Sequence, residues 1–268
     1  MNSFRMKYFI ILGLLALFIF SDIFNFQKSK TKTLGESVDP LKNIRGVIVP
    51  HHDLADDLII SAINTIKEKN DYEKIIIIGP NHYYPESPTF MTTSVYKDYP
   101  LDTPLIEKLN EFNTDILFDR ERMEKEHSIG IPIKYLREIF PQAEFCPLAI
   151  SPHFNEVSLD KMAGLLKNNS SENTLYVLSE DFAHNLGGTE ALQHNEESIK
   201  AISNFDIPKI LSFDDKYLDS PVSTVLFLKI MKGYSAEKWT TLESTHGSII
   251  VGEPDLNGTS YVSGVFSK

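Results

Sequence analysis

The chain has 268 residues, of which 42% are hydrophobic and 24% are charged, so its composition is that of a globular protein with room for one large domain. The formal net charge of −11 argues against nucleic acid or an anionic lipid surface as the main partner, because both need a basic protein surface. The single cysteine, Cys146, excludes an intramolecular disulfide and a Cys-x-x-Cys pair, and its apolar neighbours predict a buried structural thiol.

Residues 1–26 predict a membrane anchor or a signal peptide. Arg5 and Lys7 precede an unbroken apolar run over residues 8–20, and this run is short for a full membrane span. Without a clear small-x-small cleavage site, an uncleaved anchor with the domain outside the cytoplasm is the first prediction. A cleaved signal peptide, which would give a secreted protein, is the alternative. Residues 27–43 are polar and aperiodic and predict a linker.

Strands and helices alternate from Ile44 to the end of the chain. Continuous apolar runs predict strands at Gly46–Val49, Lys74–Ile78, Glu144–Ile150 and Thr174–Ser179. Helices are predicted at Leu54–Lys69, Thr103–Asn113, Leu159–Lys167, Thr189–Ser203, Pro208–Phe213 and Pro221–Lys232. Two strand-like runs, Lys238–Leu242 and Ser260–Phe266, close the chain. This order predicts a single α/β domain over residues 44–268, with a central, largely parallel or mixed sheet flanked by helices.

Three local signals predict where helices begin. Asp102 and Ser158 stand directly before periodic segments and are predicted to be N-caps. Pro132, in the segment HSIGIPIKYLREIF, predicts a helix that starts near it, because proline suits the first helical turn.

Polar side chains follow three of the four predicted core strands, at the point where each strand ends. These residues are His51, His52, Asp53, Asn81, His82, Ser179, Glu180, Asp181 and His184, and a loop before the third strand adds Glu126 and His127. Ligands of open α/β sheets bind beyond the carboxyl ends of the strands, so we expect these groups to converge. Converging imidazoles and carboxylates suit a divalent metal ion. His153 and His194 are interpreted as solvated or helix-capping residues.

Motifs of other catalytic classes are missing from the sequence. It contains no Gly-x-Ser-x-Gly elbow, no Gly-x-x-x-x-Gly-Lys phosphate loop, and no Gly-x-Gly-x-x-Gly after the first strand. Cys146 lies inside an apolar strand, where its thiol would stay protonated and inert. Hydrolysis by a serine, a cysteine or a P-loop is therefore unsupported.

Five segments, taken in order, resemble the Memo family, whose bacterial and archaeal members are called AmmeMemoRadiSam system protein B. The segments are VPHHDL, IIIIGPNHYY, EKEHSIGIPIKYL, VLSEDFAH and GTSYVSGVF, and the resemblance covers residues 44–268. It implies the α/β fold of the class III extradiol ring-cleaving dioxygenases and a site for iron or copper. By motif position it implies metal ligands at His51 and His82 and pocket residues at Asp181, His184, Glu126 and His127.

The sequence also departs from the family pattern. The family's third ligand is a cysteine, and none stands before the segment SPVSTVLFLKIM. Asp219 lies there instead, and it either completes a two-histidine, one-carboxylate set or caps the helix that starts at Pro221. Gly130 and Pro132 replace a glutamate and a histidine of the family. The segment PHHDL adds a possible ligand at His52 or Asp53, and His246 and Asn81 are further candidate pocket residues.

Two functions from different classes follow. The first is a metal-dependent oxidoreductase that acts on a small-molecule substrate, with iron or copper held by His51, His82 and Asp219. In it, His184 or His127 would be the general acid/base, oriented by Asp181 or Glu126. The second is a non-catalytic, membrane-tethered module that binds a ligand or a partner protein of a radical-SAM-associated system. The N-terminal segment predicts contact with a membrane, and neither function involves nucleic acid.

Overall fold

The structure of the protein, a computed structural model, describes residues 43–68, 71–86, 88–112 and 115–268. The predicted anchor or signal peptide at 1–26 lies outside the described residues, as does the predicted linker up to residue 42. Within the described ranges, every helix is too short or too polar to cross a lipid bilayer.

A single mixed sheet of eight strands forms the centre of the described domain. The strands are β1 (Ile44–Val49), β2 (Lys74–Pro80), β3 (Phe90–Thr92), β4 (Ile116–Phe118), β5 (Glu144–Ile150), β6 (Thr174–Ser179), β7 (Lys238–His246) and β8 (Ser260–Ser267). Their order is β4-β3-β5-β2-β6-β1-β8-β7. The four central strands β5, β2, β6 and β1 are parallel, and β3 and β8 pair antiparallel with the two ends of this block. The predicted α/β fold with a mixed sheet is confirmed.

Helices cover both faces of the sheet, because successive side chains of each central strand point to opposite sides. Ile75 and Ile77 of β2 pack on one face, and Ile76 and Ile78 pack on the other. Helices α1 (Asp56–Lys67), α3 (Arg120–Lys125) and α4 (His127–Ile139) lie on the first face. Helices α2 (Thr103–Glu111), α5 (Glu156–Asn168), α6 (Gly188–Ser203), α7 (Ile207–Ile210) and α8 (Pro221–Gly233) lie on the second. Cys146 is buried in this second core, as predicted.

The structure corrects two of the three predicted helix starts. Asp102 does cap α2, since its side chain accepts the Leu105 N–H. Asn155, not Ser158, caps α5, which starts one turn earlier than predicted. The helix predicted to start near Pro132 begins at His127 instead. Its cap is the Glu126 carboxylate, a stronger start signal than the proline, which lies inside the helix.

Pro132 has a consequence for the interior of α4. A residue at this position would donate its N–H to the carbonyl of Ser128 four residues earlier, and proline has no N–H. The Ser128 carbonyl accepts a hydrogen bond from the Ser179 hydroxyl instead, at 2.5 Å. The proline therefore frees a carbonyl that ties α4 to the end of β6.

The parallel strands bring their carboxyl ends to one edge of the sheet. His51 follows β1, His82 follows β2, and Glu180 follows β6, so these residues leave the sheet on the same side. A short 3₁₀ turn (Asp53–Ala55) follows the first exit, and α9 (Gly247–Val251) follows β7 at the same edge. The predicted convergence of the strand exits is therefore seen in the structure.

Candidate metal centre

Three histidines lie together at this edge of the sheet. One ring nitrogen from each of His51, His82 and His127 lies within 4.8 Å of the others. The rings of His82 and His127 stack with their centres 4.2 Å apart, and the His51 ring lies 5.1 Å and 5.3 Å from them. Two strand exits and the first residue of α4 thus supply one cluster of imidazoles.

Asp219 adds a carboxylate to this cluster. Its Oδ2 atom lies 2.8 Å from Nε2 of His82 and 3.2 Å from Nε2 of His51. The helix that starts at Pro221 is capped by the Ser220 hydroxyl and not by Asp219, which leaves the Asp219 side chain free for the histidines. Of the two roles considered for Asp219 from the sequence, the structure favours the one beside His51 and His82.

The hydrogen bonds of Ser179 set which nitrogen of His51 carries its proton. The Ser179 hydroxyl has one proton, and it donates this proton to the Ser128 carbonyl, which can only accept. The contact of 3.2 Å between this hydroxyl and Nδ1 of His51 therefore has Nδ1–H as the donor. In the neutral ring the lone pair is then on Nε2, the atom that faces Asp219.

Glu126 orients His82 in the same way. One carboxylate oxygen of Glu126 lies 2.8 Å from Nδ1 of His82, and the other accepts the His82 backbone N–H at 2.8 Å. The carboxylate also accepts the Ser128 N–H at the start of α4. Glu126 is buried and its pKa is lowered, because the His82 hydrogen bond outweighs the burial that opposes its charge. The Nε2 atom of His82, like that of His51, thus faces Asp219.

Hydrogen bonds between charged groups hold the cluster together. Burial opposes the cationic form of His82, but its hydrogen bonds to Asp219 and Glu126 outweigh burial and raise its pKa to about 10. Burial likewise opposes the charge on His51, and the nearby Asp181 and Asp219 carboxylates raise its pKa nonetheless. The pKa of Asp219 is lowered, since its hydrogen bonds to the two histidines outweigh its burial. The raised pKa values of His51 and His82 mean that both rings carry a proton at the place where a metal ion could bind.

His127 differs from the other two histidines. Burial and the positive charges of His82 and His51 lower its pKa, so it stays neutral beside them. Its Nδ1 atom is buried and has no hydrogen-bond partner among the described residues, with the nearest Glu126 oxygen at 3.6 Å. Glu126 thus forms its hydrogen bond with His82, and its predicted role of orienting His127 stays a prediction. A neutral imidazole with a free nitrogen is a donor that a metal ion can use.

The second predicted acid/base pair is not joined in the structure. Asp181 accepts the backbone N–H of His51 at 2.9 Å, and its other oxygen lies 3.8 Å from Nε2 of His51. His184 donates its backbone N–H to the Asp215 carbonyl, and its Nδ1 atom is buried without a partner within the described part of the chain. Asp181 therefore supports His51, and the described contacts do not connect it with the His184 ring.

The candidate pocket residues lie at different places around the edge. His52 is exposed and its Nδ1 accepts the Leu54 N–H, so it caps the 3₁₀ turn whose first residue is the exposed Asp53. Asn81 is buried beside His82 and exchanges hydrogen bonds with the Tyr84 backbone. His246 is buried at the end of β7, where its Nδ1 contacts the Ser248 hydroxyl and not the histidine cluster.

Two functional side chains had no role assigned from the sequence. The sequence indicates only that Ser179 lies at a strand exit, and its link between His51 and α4 depends on Pro132. Glu180 is fully buried, and one of its oxygens accepts the Ser220 N–H at 2.6 Å, next to Asp219. Burial and the Asp219 charge raise the pKa of Glu180 well above its ordinary value. In the sequence, the one sign of a role for Glu180 is that it forms an acidic pair with Asp181 directly after an apolar strand.

The donor set fits a divalent transition metal ion. Imidazole nitrogens and a carboxylate are ligands that iron, copper and zinc accept. Two observations mark a place where positive charge is stabilised. The Nδ1 atom of His127 is buried and has no partner among the described residues, and the Nε2 atoms of His51 and His82 approach the same Asp219 oxygen. The partners Ser179 and Glu126 hold the two rings as hydrogen-bonded neighbours of metal ligands usually do.

The fold and the site define an α/β protein with a cluster of three histidines and a carboxylate at the carboxyl edge of its sheet. The sequence pattern of the Memo-like proteins matches residues 25–263, and the chain belongs to this family. The resemblance seen in five local motifs is thereby confirmed.

Two relatives agree with this family membership, and a solved structure shares the fold. A MEMO1 family protein of Aquifex aeolicus is 27% identical over 74% of this chain and 58% of its own length. A MEMO1 family protein of Methanosarcina barkeri is 26% identical over 63% of this chain and 65% of its own length. The chain thus spans less than two thirds of these two relatives. The crystal structure of the uncharacterized protein JW3007 from Escherichia coli K12 shares the fold, with a TM-score of 0.57 and 13% identity over 83% of this chain and 99% of that one.

Proposed function

We propose that this protein binds a divalent transition metal ion, iron or copper, through Nε2 of His51, Nε2 of His82 and Asp219, with His127 as a further donor. One observation carries the proposal. Both Nε2 atoms approach the same Asp219 oxygen, while the Nδ1 atom of each ring is engaged by a fixed partner. The two rings are therefore held with their lone pairs directed to one point.

When bound, the ion would supply Lewis-acid and one-electron chemistry to a small-molecule substrate. The residues around the ion would transfer protons and hold the ligand rings in position. His127 is neutral, half exposed and stacked on His82, so it can act either as a third nitrogen ligand or, when it does not bind the ion, as the group that takes a proton from a substrate that approaches from solvent. Asp181, through the His51 backbone, and Glu126, through His82, keep the two ligand rings in place.

A binding module without turnover is the second proposal. The chain has Gly130 and Pro132 where the family pattern carries a glutamate and a histidine, which removes acid/base groups from α4. Such a module would present the bound ion to a partner, for which a radical-SAM protein is the candidate, at a membrane reached through residues 1–26. Oxygen consumption by the iron-loaded protein with a panel of phenols separates the two proposals, because only the enzyme would turn over.

The test of metal binding is the metal content of the full-length protein, purified anaerobically without chelator. We expect close to one iron or copper ion per chain in the wild type. The variants His51→Ala, His82→Ala and Asp219→Asn should lose most of it. His153→Ala, which removes an imidazole outside the cluster, is the matched control and should keep the ion. A folded wild type that takes up neither Fe(II) nor copper would overturn the proposal.

A further inference from the structure

A small pocket adjoins the candidate metal centre on the side of α8. Its volume is about 190 Å³. Its polar lining comes from His82 and Asp219, the two side chains joined by the 2.8 Å contact, and from Asn81 and Ser220. A molecule in this pocket would therefore lie against two of the groups that we propose to hold the ion.

The other walls of the pocket are mainly apolar. Pro80 and Ile150 come from the ends of β2 and β5, and Pro221 and Val222 come from the first turn of α8. Strand ends and the start of a helix are held by the backbone of the core, so these walls are rigid. The pocket, named here the proline pocket, thus combines polar groups of the candidate metal centre with mainly apolar walls.

The first turn of α8 offers few free donors to an anion. The Ser220 N–H is taken by the Glu180 carboxyl at 2.6 Å, and the Ser223 N–H is taken by the Ser220 hydroxyl at 3.2 Å. Pro221 has no N–H. Helix N-termini bind phosphates and carboxylates through such groups, and here three of the first four positions offer an anion no free N–H, next to the charged Asp219. The apolar walls therefore match an uncharged group.

The volume limits the size of that group. An apolar cavity of about 150 Å³ is enough to admit benzene, and pockets for drug-sized molecules begin near about 300 Å³. The proline pocket, at about 190 Å³, lies between the two. One six-membered ring or a branched chain of similar size fits, and two fused rings do not.

We propose that the proline pocket receives the uncharged, ring-sized apolar body of a small ligand whose polar end binds the ion held by His82 and Asp219. This inference rests on the proposed metal function and adds the class of ligand to it. Burial of apolar surface strengthens binding, and a ring buries more of it than a methyl group does. Two ligands with the same metal-binding end and different bodies should therefore differ strongly in affinity.

Benzohydroxamate and acetohydroxamate form such a pair, because they share the hydroxamate group. They differ only in that the first carries a phenyl ring and the second a methyl group. Both would be titrated into the full-length protein loaded with Co(II), whose visible absorption reports ligand binding at the ion. We expect benzohydroxamate to bind at least tenfold more tightly than acetohydroxamate. A two-ring naphthohydroxamate should lose this advantage, since it exceeds the volume of the pocket.

Two substitutions at Val222 test the pocket itself. Val222→Phe should fill it and reduce the preference for benzohydroxamate to less than threefold, with the affinity for acetohydroxamate unchanged. Val222→Ala should enlarge it and let naphthohydroxamate bind as tightly as benzohydroxamate, so the test does not depend on the folding of the phenylalanine variant. Val157→Phe, at a residue that is 60% exposed, is the matched control and should change nothing.

The outcomes separate the two proposals. If the folded protein takes up none of Co(II), Fe(II) and copper, the metal site and the ligand pocket are both refuted. If Co(II) binds and wild-type protein holds the two small hydroxamates equally, or if the preference survives Val222→Phe, the pocket proposal alone is overturned.

Discussion

The Ser179→Ala variant tests how the protein sets the protonation of His51. Ser179 donates to the Ser128 carbonyl at 2.5 Å and lies 3.2 Å from Nδ1 of His51. Ser179, His51 and Ser128 are all buried. The substitution removes one hydroxyl and leaves two polar groups, the carbonyl and Nδ1–H, without a partner and without access to water.

The expected size of the effect follows from these two groups. Each unsatisfied buried polar group costs about 1–3 kcal/mol, so the variant should lose about 2–6 kcal/mol of unfolding free energy. Without the hydroxyl, nothing keeps the proton of neutral His51 on Nδ1, and metal affinity should fall by about 10–100-fold, as is usual when such a partner is lost. Urea denaturation measures the first quantity, and competition with a chromophoric chelator measures the second.

Ser170→Ala is the matched control. Its hydroxyl donates to the Leu166 carbonyl at 2.7 Å and contacts the Tyr176 hydroxyl at 2.7 Å, so the same number of contacts is lost near the opposite edge of the sheet. This control should lose stability and keep wild-type metal affinity. Unchanged metal affinity in Ser179→Ala, or an equal loss in both variants, would show that Ser179 does not set the protonation of His51.

Two further predictions concern charge and close packing at the same edge. Because the pKa of His82 is raised to about 10 from 6.5, its proton stabilises the metal-free fold fully below about pH 6.5, and this stability is lost as the pH rises towards 10. Urea denaturation should show a loss of at most about 1.4 kcal/mol per pH unit from this group. Metal affinity measured by calorimetry should rise over the same range, because the ion replaces the proton; a flat profile would refute this linkage. Gly79→Ala should lower the unfolding free energy by about 1–3 kcal/mol, since its Cβ would lie 2.8 Å from the Ser128 hydroxyl. Gly164→Ala in α5, where a Cβ meets nothing within 4 Å, should not be destabilised.

The central strands could be predicted because each is a continuous apolar run. Glu144–Ile150 and Thr174–Ser179 have the predicted bounds, and β1 and β2 differ from the prediction only at their ends. Strands β3 and β4 were missed. They have three residues each, too few to show an alternating pattern, and they form through pairing with partners distant in the sequence.

The histidines of the site could be predicted and their partners could not. His51 and His82 follow apolar strands directly, so the geometry of a parallel sheet is enough to place them together. Asp219 reaches His82 across 137 residues of sequence, and no local pattern encodes that contact. The role of Ser179 depends on a carbonyl that Pro132 leaves free inside α4, a feature that appears only when helix and strand are packed.

The order of the strands has a consequence for when the site forms during folding. His51 and His82 leave β1 and β2, and β6 lies between these two strands in the sheet. The cluster is therefore incomplete until the chain beyond residue 174 has inserted between them, and Asp219 arrives later still along the sequence. Such long-range pairing makes an early role for the ion in folding unfavourable. A bound ion would act instead on the completed fold, where contacts formed after the transition state slow unfolding and leave the folding rate unchanged.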